Sequence, residues 1–302
     1  MEQVATSPAD ETIAVHSGEF PQLQARYRRQ WRIWAAVCAG GTLLGAVVGG
    51  SVWGWGLMVA SVVLLAIVSI QLSRQLSQYY KGEIVPQLVR HFCDEGEYDA
   101  NDGIDEEVFI ESNLFPTRPD RYTTEDLIEG RIGKTEFRFA EVKAMEERTV
   151  HTSRGTRTTW VKIFRGFFFV ADFNKDFAGQ TTLVPNFWGA KWLAGKQRVT
   201  LENPELMRRF LVCSTDQIEA RYILTPGLME RIMKLAKRYP RCLRISFTGS
   251  CIMVARDCSR NHYEAGLWRP MSECIRRDIL AVRELTGLVE ELNMNTRIWT
   301  KE

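Results

Sequence analysis

The chain has 302 residues, 45% hydrophobic and 25% charged, with a formal net charge of +2. Those averages exclude a collagen-like or wholly disordered chain, and so small a net charge argues against a nucleic-acid binder held by bulk charge. They also conceal a segregation, because the 41 residues between Arg32 and Arg74 contain no Lys, Arg, Asp or Glu, so a purely soluble chain is not expected.

Residues 1–25 carry Glu2, Asp10, Glu11 and Glu19, no Lys or Arg, and few large apolar groups before Phe20. That composition predicts a disordered cytoplasmic tail. Ile33–Val52 and Trp53–Leu72 then offer two stretches of 20 residues each, and about 20 helical residues cross a hydrocarbon core of about 30 Å. Residues 26–73 are therefore expected to form a transmembrane helical hairpin, turning near Gly49-Gly50-Ser51 with Trp53 and Trp55 at the headgroup boundary. A re-entrant hairpin is the competing reading. The second stretch is dense in Leu, Val and Ile and inserts unaided. The first is diluted by glycine and leans on its partner. Gly41, Gly45 and Gly49 share one face, expected to meet the second span, with a homodimer face as the alternative. Arg26, Arg28, Arg29 and Arg32 before the hairpin, with Arg74 and Lys81 after it, place both termini in the cytoplasm. The polar residues ahead of the apolar block argue against a cleaved signal peptide.

Residues 74–94 keep helical spacing, with a bend or restart at Pro86. Thr123 and Thr124 read as helix caps ahead of Glu125-Asp126. Strand alternation follows over Arg131–Ala144, with Phe137, Phe139 and Val142 inward, and over Trp160–Phe173, where Gly166 suggests a bulge. Shorter strands are expected at 181–184, 198–201 and 210–213, and Arg221 with Glu219 reads as an ion pair at a strand end. Thr225-Pro226 caps and opens a helix that ends near Pro240. Leu243, Ile245 and Phe247, then Ile252 and Val254, alternate around Thr248-Gly249-Ser250 as a hairpin does. A last helix runs from about Ser272, with Asn293 and Asn295 at its end. Residues 74–302 are thus expected to be one cytoplasmic α+β domain with a mainly antiparallel sheet and flanking helices.

Chemistry is sparse in this pattern. The seven cysteines form no close pair and read as reduced, small apolar groups. Cys242, Cys251, Cys258 and His262 lack the short Cys-x-x-Cys bite of a zinc site, and Cys258 with His262 is a weak thiolate pair. No Walker loop, Gly-x-Ser-x-Gly elbow or His-Glu-x-x-His helix occurs, so neither metal nor cofactor is expected. The strongest features outside the core are two basic segments: Arg148, Arg154, Arg157 and Lys162 with Arg165, and Trp188, Lys191, Trp192 and Lys196. Beside a membrane such segments suit anionic lipid or a membrane-protein partner. Solvated loops and core tryptophans are the plainer reading of the same residues. If the chain is an enzyme, its candidate pocket gathers Glu125, Asp126, Asp172 and Arg221.

Tyr80-Lys81, Gly103-Ile104 with Phe109, Phe164-Arg165-Gly166, Val170-Ala171-Asp172-Phe173, Glu219 to Pro226 and Glu290 to Trp299 follow one another along the chain. In these pieces the chain resembles the bacterial membrane proteins catalogued as domain of unknown function 3137. The resemblance implies a bacterial inner-membrane protein with an N-terminal hairpin and a cytoplasmic domain. The family has no assigned reaction, so no catalytic residue or cofactor transfers. The expected function is a membrane-anchored binding or interaction module whose partners are the bilayer and an anionic lipid or membrane protein, not nucleic acid. A membrane-face enzyme is the alternative. A transporter is a poorer fit, because two spans without ionisable groups give no ion pathway in one chain.

Overall fold

The computed structural model describes residues 20–48, 52–152, 155–186, 197–259 and 261–292. Residues 1–19 of the expected tail, the Gly49–Ser51 turn and the Asn293–Trp299 end of the last motif lie outside them, while residues 20–25, expected in the disordered tail, are helical, with Phe20 and Gln24 buried. Helices α1 (Phe20–Val47) and α2 (Val52–Tyr79) are followed by a π-helical turn (Tyr80–Ile84), α3 (Val85–Phe92), β1 (Asp94–Asp99) and α4 (Glu106–Glu111). Then come β2 (Arg121–Ile132), β3 (Thr135–Thr152), β4 (Gly155–Pro185), α5 (Pro204–Arg209), β5 (Phe210–Ser214) and α6 (Gln217–Ile223). The chain continues with α7 (Pro226–Arg238), β6 (Leu243–Asp257) and α8 (Met271–Glu291). The class is α+β, and the pairings between the described strands are antiparallel. Two compact units divide the chain: the described residues up to Leu88 with His262–Ala281, and Val89–Asn261 with the described residues from Val282 onward.

In the first unit α1 and α2 are antiparallel neighbours. Trp31 Nε1 donates to Ser69 Oγ at 2.8 Å. Further along, a Cβ on Gly41 would lie 2.5 Å from Ser61 Oγ, and one on Gly45 would lie 2.8 Å from both Gly54 O and Met58 Cγ. The glycine face is thus where α1 approaches α2, and glycine is needed because the opposing atoms include backbone. By length and composition the continuous helical run Val52–Phe92 can cross a membrane, and it is the one helix among the described residues that can. Side chains on both helices project outward, Val47, Val52 and Trp53 being 83, 88 and 86% exposed. The π-helical turn runs directly into α3, whose second residue is Pro86. Pro86 has no N–H to return to Gly82, so the helix loosens where the sequence predicts a bend.

The same unit includes a later piece of chain. Gln24 Nε2 donates to the carbonyls of Gly266 and Arg269 at 2.9 and 2.8 Å, and Arg28 Nε donates to that of Leu267 at 2.6 Å. Trp31 meets Trp268 edge-on, 4.8 Å between centroids. At its centre is Asp278, fully buried. It accepts from Tyr80 Oη at 2.9 Å and from Arg277 Nε and Nη2 at 2.8 and 3.1 Å, with His262 Nδ1 at 3.6 Å. Burial pushes this carboxyl up, but the His262 ring and the Arg277 guanidinium against it pull harder and hold it below its ordinary 3.8. Burial and then the Asp278 charge push the Tyr80 phenol well above 10.0, so it remains a donor.

The second unit is built on a six-stranded sheet in the order β1-β2-β3-β4-β5, with β6 also paired to β4. Phe109, Phe164 and Phe168 form its aromatic core with Ile104, Val142 and Ala255. The pattern around residue 125 is corrected here: Thr123 to Asp126 lie in β2, not at a helix start, and Asp126 sits in a bulge with a left-handed φ of 61°. Gly133 and Lys134 turn the chain between β2 and β3, so 131–144 is not one strand. The expected bulge at Gly166 falls instead between Ala144 and Met145 of β3, which pair with Phe164 and Lys162 and leave Ile163 unmatched. Gly166 is required for another reason, since a Cβ there would overlap the Arg256 carbonyl of β6. The expected hairpin at 248–250 is also corrected. β6 is one strand, because both of its halves pair along the same long β4, and Gly249, at φ 56°, takes up the irregularity. Glu219 to Ile223 lie in α6, capped by Asp216, rather than at a strand end. The α7 cap is as expected, Leu228 N donating to Thr225 Oγ1 at 3.4 Å.

Candidate functional site

β4 is 31 residues long and changes partner along its length. Its first half pairs with β3 as far as Ala171, and Thr181–Pro185 pair with β5. Register shifts between Asp172 and Thr181 bend it on the way. The bend lets Val161–Ile163 from one end and Gln180, Thr182 and Val184 from the other line a single concavity of about 650 Å3. Phe115, Val161, Ile163, Val184 and Leu211 give it an apolar floor. Arg148, Lys162 and Arg244 line it with one carboxylate, Glu146, so three cations stand against one anion. Its polar wall is pre-set: Gln180 Nε2 donates to Glu111 O at 2.7 Å, Gln180 N donates to Thr215 Oγ1 at 2.8 Å, and the Thr181 and Ser214 hydroxyls share a bond of 2.9 Å.

The charges differ in freedom. Arg148, 61% exposed, forms an ion pair with Glu146, which is nearly buried. Arg244 Nη1 donates to Asp257 Oδ2 at 2.6 Å while its guanidinium lies 4.8 Å over the Phe115 ring, leaving other N–H groups of its fork available. Lys162 is exposed. Burial pushes the Cys213 thiol of the same wall above 9.0, against the pull of Arg198 nearby. It stays protonated at neutral pH and is not an activated nucleophile.

The structure therefore brings Arg148 and Lys162 together, and Val184 and Gln197 beside them bracket the tryptophan and lysine segment in the chain. Arg157, exposed opposite Val150, stands outside the groove lining. Arg154, Trp188, Lys191, Trp192 and Lys196 lie outside the described residues. The four pocket candidates are spread over three elements. Glu125 pairs in register with Glu141, and the buried Asp126 accepts from Tyr98 Oη at 2.5 Å. Asp172 lines a second concavity, about 390 Å3, with Glu95, Glu129, Arg131, Glu136 and Arg138. Arg221 is exposed on α6, where its Nη1 donates to Gln217 O at 3.2 Å. Its neighbour Glu219 instead accepts from Ala178 N and Gly179 N of β4 at 2.9 and 2.7 Å, fixing the bend. Sequence reasoning missed Phe115 and Arg244. Arg244 had a signal, since it is the polar residue alternating with Leu243 and Ile245, but only the bent sheet shows which groove it enters.

A family model described as Protein of unknown function (DUF3137) matches residues 162–294. Among solved structures the chain is similar to the crystal structure of the mycobacterial trehalose monomycolate transport factor A, TtfA, at 13% identity and a TM-score of 0.38, over 72% of this chain and 96% of that one. No curated protein matches significantly.

Proposed function

We propose that this chain, whose residues 162–294 belong to the family of proteins of unknown function DUF3137, is a membrane-anchored binding module that takes an anionic amphiphile of the lipid class into its groove. One observation carries this reading: an apolar floor and three cations share one concavity of about 650 Å3. An apolar body loses water on Phe115, Ile163 and Leu211 while its acidic head meets Arg148, Lys162 and Arg244. The anchor is the α1–α2 pair, crossing a bacterial inner membrane as two spans with both termini cytoplasmic. Supporting it are the uncharged 41 residues between Arg32 and Arg74 and the arginines ahead of them. On this reading Arg154, Arg157, Trp188, Lys191, Trp192 and Lys196 add contacts to lipid or to a membrane-protein partner. The alternative, an enzyme working through Glu125, Asp126, Asp172 and Arg221, has less support, because those side chains are divided among β2, β4 and α6.

The test uses the full chain in phosphatidylcholine nanodiscs, titrated with a fluorescent fatty acid and with its methyl ester, empty nanodiscs subtracted. The acid binds at least tenfold more tightly than the ester. Arg148→Ala with Lys162→Ala removes most of that preference, at up to about 1 kcal/mol per exposed charge. Equal binding of acid and ester, or an unaffected double variant, overturns the proposal.

A further inference from the structure

Next to the groove is a further basin that shares only Arg244 with the groove and none of the basic segments singled out in the sequence. It encloses about 460 Å3 where α5 runs into β5, where α7 ends and where β6 begins, and Arg208, Arg209, Arg241 and Arg244 line it with Tyr239 and Asn186. Its lining contains no carboxylate among the described residues. Two of these arginines have a local explanation, since Arg208 and Arg209 close the last turn of α5, where cations meet free carbonyls. That explanation does not reach Arg241 or Arg244.

Local contacts hold the basin in shape without using up its charge. Arg209 Nη1 donates to Ala236 O at 2.8 Å, in the last turn of α7, which leaves the rest of the fork available. Asn186 Nδ2 donates to Met207 O and Arg208 O at 3.0 and 3.3 Å and fixes the backbone that carries the pair. Arg241 stands at φ 61°, a left-handed conformation that an L side chain adopts at a cost. A glycine suits that turn better, so the presence of an arginine there calls for a use of its side chain. Arg244 is oriented by Asp257, the carboxylate bonded to this set. Beside Arg244 with its Asp257 partner, three further guanidinium groups converge on one small basin whose lining offers them no carboxylate, and their flat forks match phosphate oxygens two at a time.

We infer that the basin of Arg208, Arg209, Arg241 and Arg244 is a binding site for a phosphate ester, either the headgroup of a lipid or a free phosphorylated compound. It is a separate site from the groove, with Arg244 on the boundary of both.

Calorimetry on the full chain in neutral detergent tests this with three probes: inorganic phosphate, dioctanoyl phosphatidic acid and dioctanoylglycerol. Phosphate and phosphatidic acid bind, and dioctanoylglycerol binds at least tenfold more weakly than phosphatidic acid. In the Arg148→Ala with Lys162→Ala background, where the groove no longer favours an acidic amphiphile, phosphatidic acid at least tenfold tighter than phosphate identifies a lipid headgroup as the source; similar affinities identify a free phosphorylated compound. Arg208→Ala with Arg241→Ala lowers the affinity for phosphate at least tenfold and leaves the fatty-acid preference of the groove unchanged, as neither residue lines it. Arg241→Gly relieves the left-handed backbone while removing the guanidinium, so it binds phosphate more weakly with an unfolding temperature equal to or above that of the parent. Absence of phosphate and phosphatidic acid binding, or unchanged binding by both variants, overturns the inference. Because the two sites are read with different probes and different arginines, failure of one is visible without failure of the other.

Discussion

Asp278 shows how one buried charge organises its surroundings. Its carboxylate is matched by two Arg277 bonds and the Tyr80 hydroxyl, so removing the charge leaves a guanidinium without its counter-ion. Asp278→Asn is expected to cost roughly 3 kcal/mol or more in the first unit, measured as thermal unfolding in detergent followed by circular dichroism. Because its folded pKa lies below 3.8, the contribution is fully present above about pH 4 and is lost as pH falls through the folded value. The gap between parent and variant therefore narrows as pH falls below 3.8; a gap as wide at pH 2 as at pH 4 would contradict the assignment. Glycines in the second unit make a contrasting pair. Gly166→Ala drives a methyl into the Arg256 carbonyl, whereas a Cβ on Gly227 meets nothing within 4 Å. The first is expected to destabilise by about 3 kcal/mol and the second to stabilise by about 0.5 kcal/mol. Denaturant midpoints that move the same way for both would refute this.

Between elements, the α1–α2 contact separates a hairpin face from a homodimer face. A Cβ on Gly41 would lie 3.6 Å from Ser61 Cβ, inside the range of about 3.5–4.5 Å that a disulfide spans. With Cys38→Ser, Gly41→Cys and Ser61→Cys, mild oxidation is expected to give an intramolecular crosslink, seen as a thiol-dependent mobility shift of the monomer. A dimer crosslinked by Gly41→Cys alone would show that the glycine face serves a second copy. The other elements that resisted reading share a cause. Alternation around Gly249 looks the same for a hairpin and for a bent strand, and what decides is a single partner, β4, running past both halves. The Thr123-Thr124 pair likewise fits a cap or a strand, and its place in β2 depends on pairing with Val142 and Lys143.

At the scale of the molecule, the proposed membrane anchor is open to a direct test. A reporter fused after residue 100 is expected to be active on the cytoplasmic side, and the full chain to sediment with membranes without detergent. Activity on the outer side, or recovery in the supernatant, would remove the anchor on which the functional reading stands. Length, the uncharged block, the glycine spacing, the Thr225-Pro226 helix start and the α+β class were all legible in the amino-acid order, since each follows from local composition or a period of two or 3.6 residues. The Asp278 cluster, the groove and the arginine basin were not. Arg148 was singled out by charge alone, Arg244 was hidden as the outward residue of a strand, and Tyr80 and Asp278 are 198 positions apart. Composition and periodicity act over a few residues, whereas a site made by a strand that bends and changes partner exists only once distant segments are packed together.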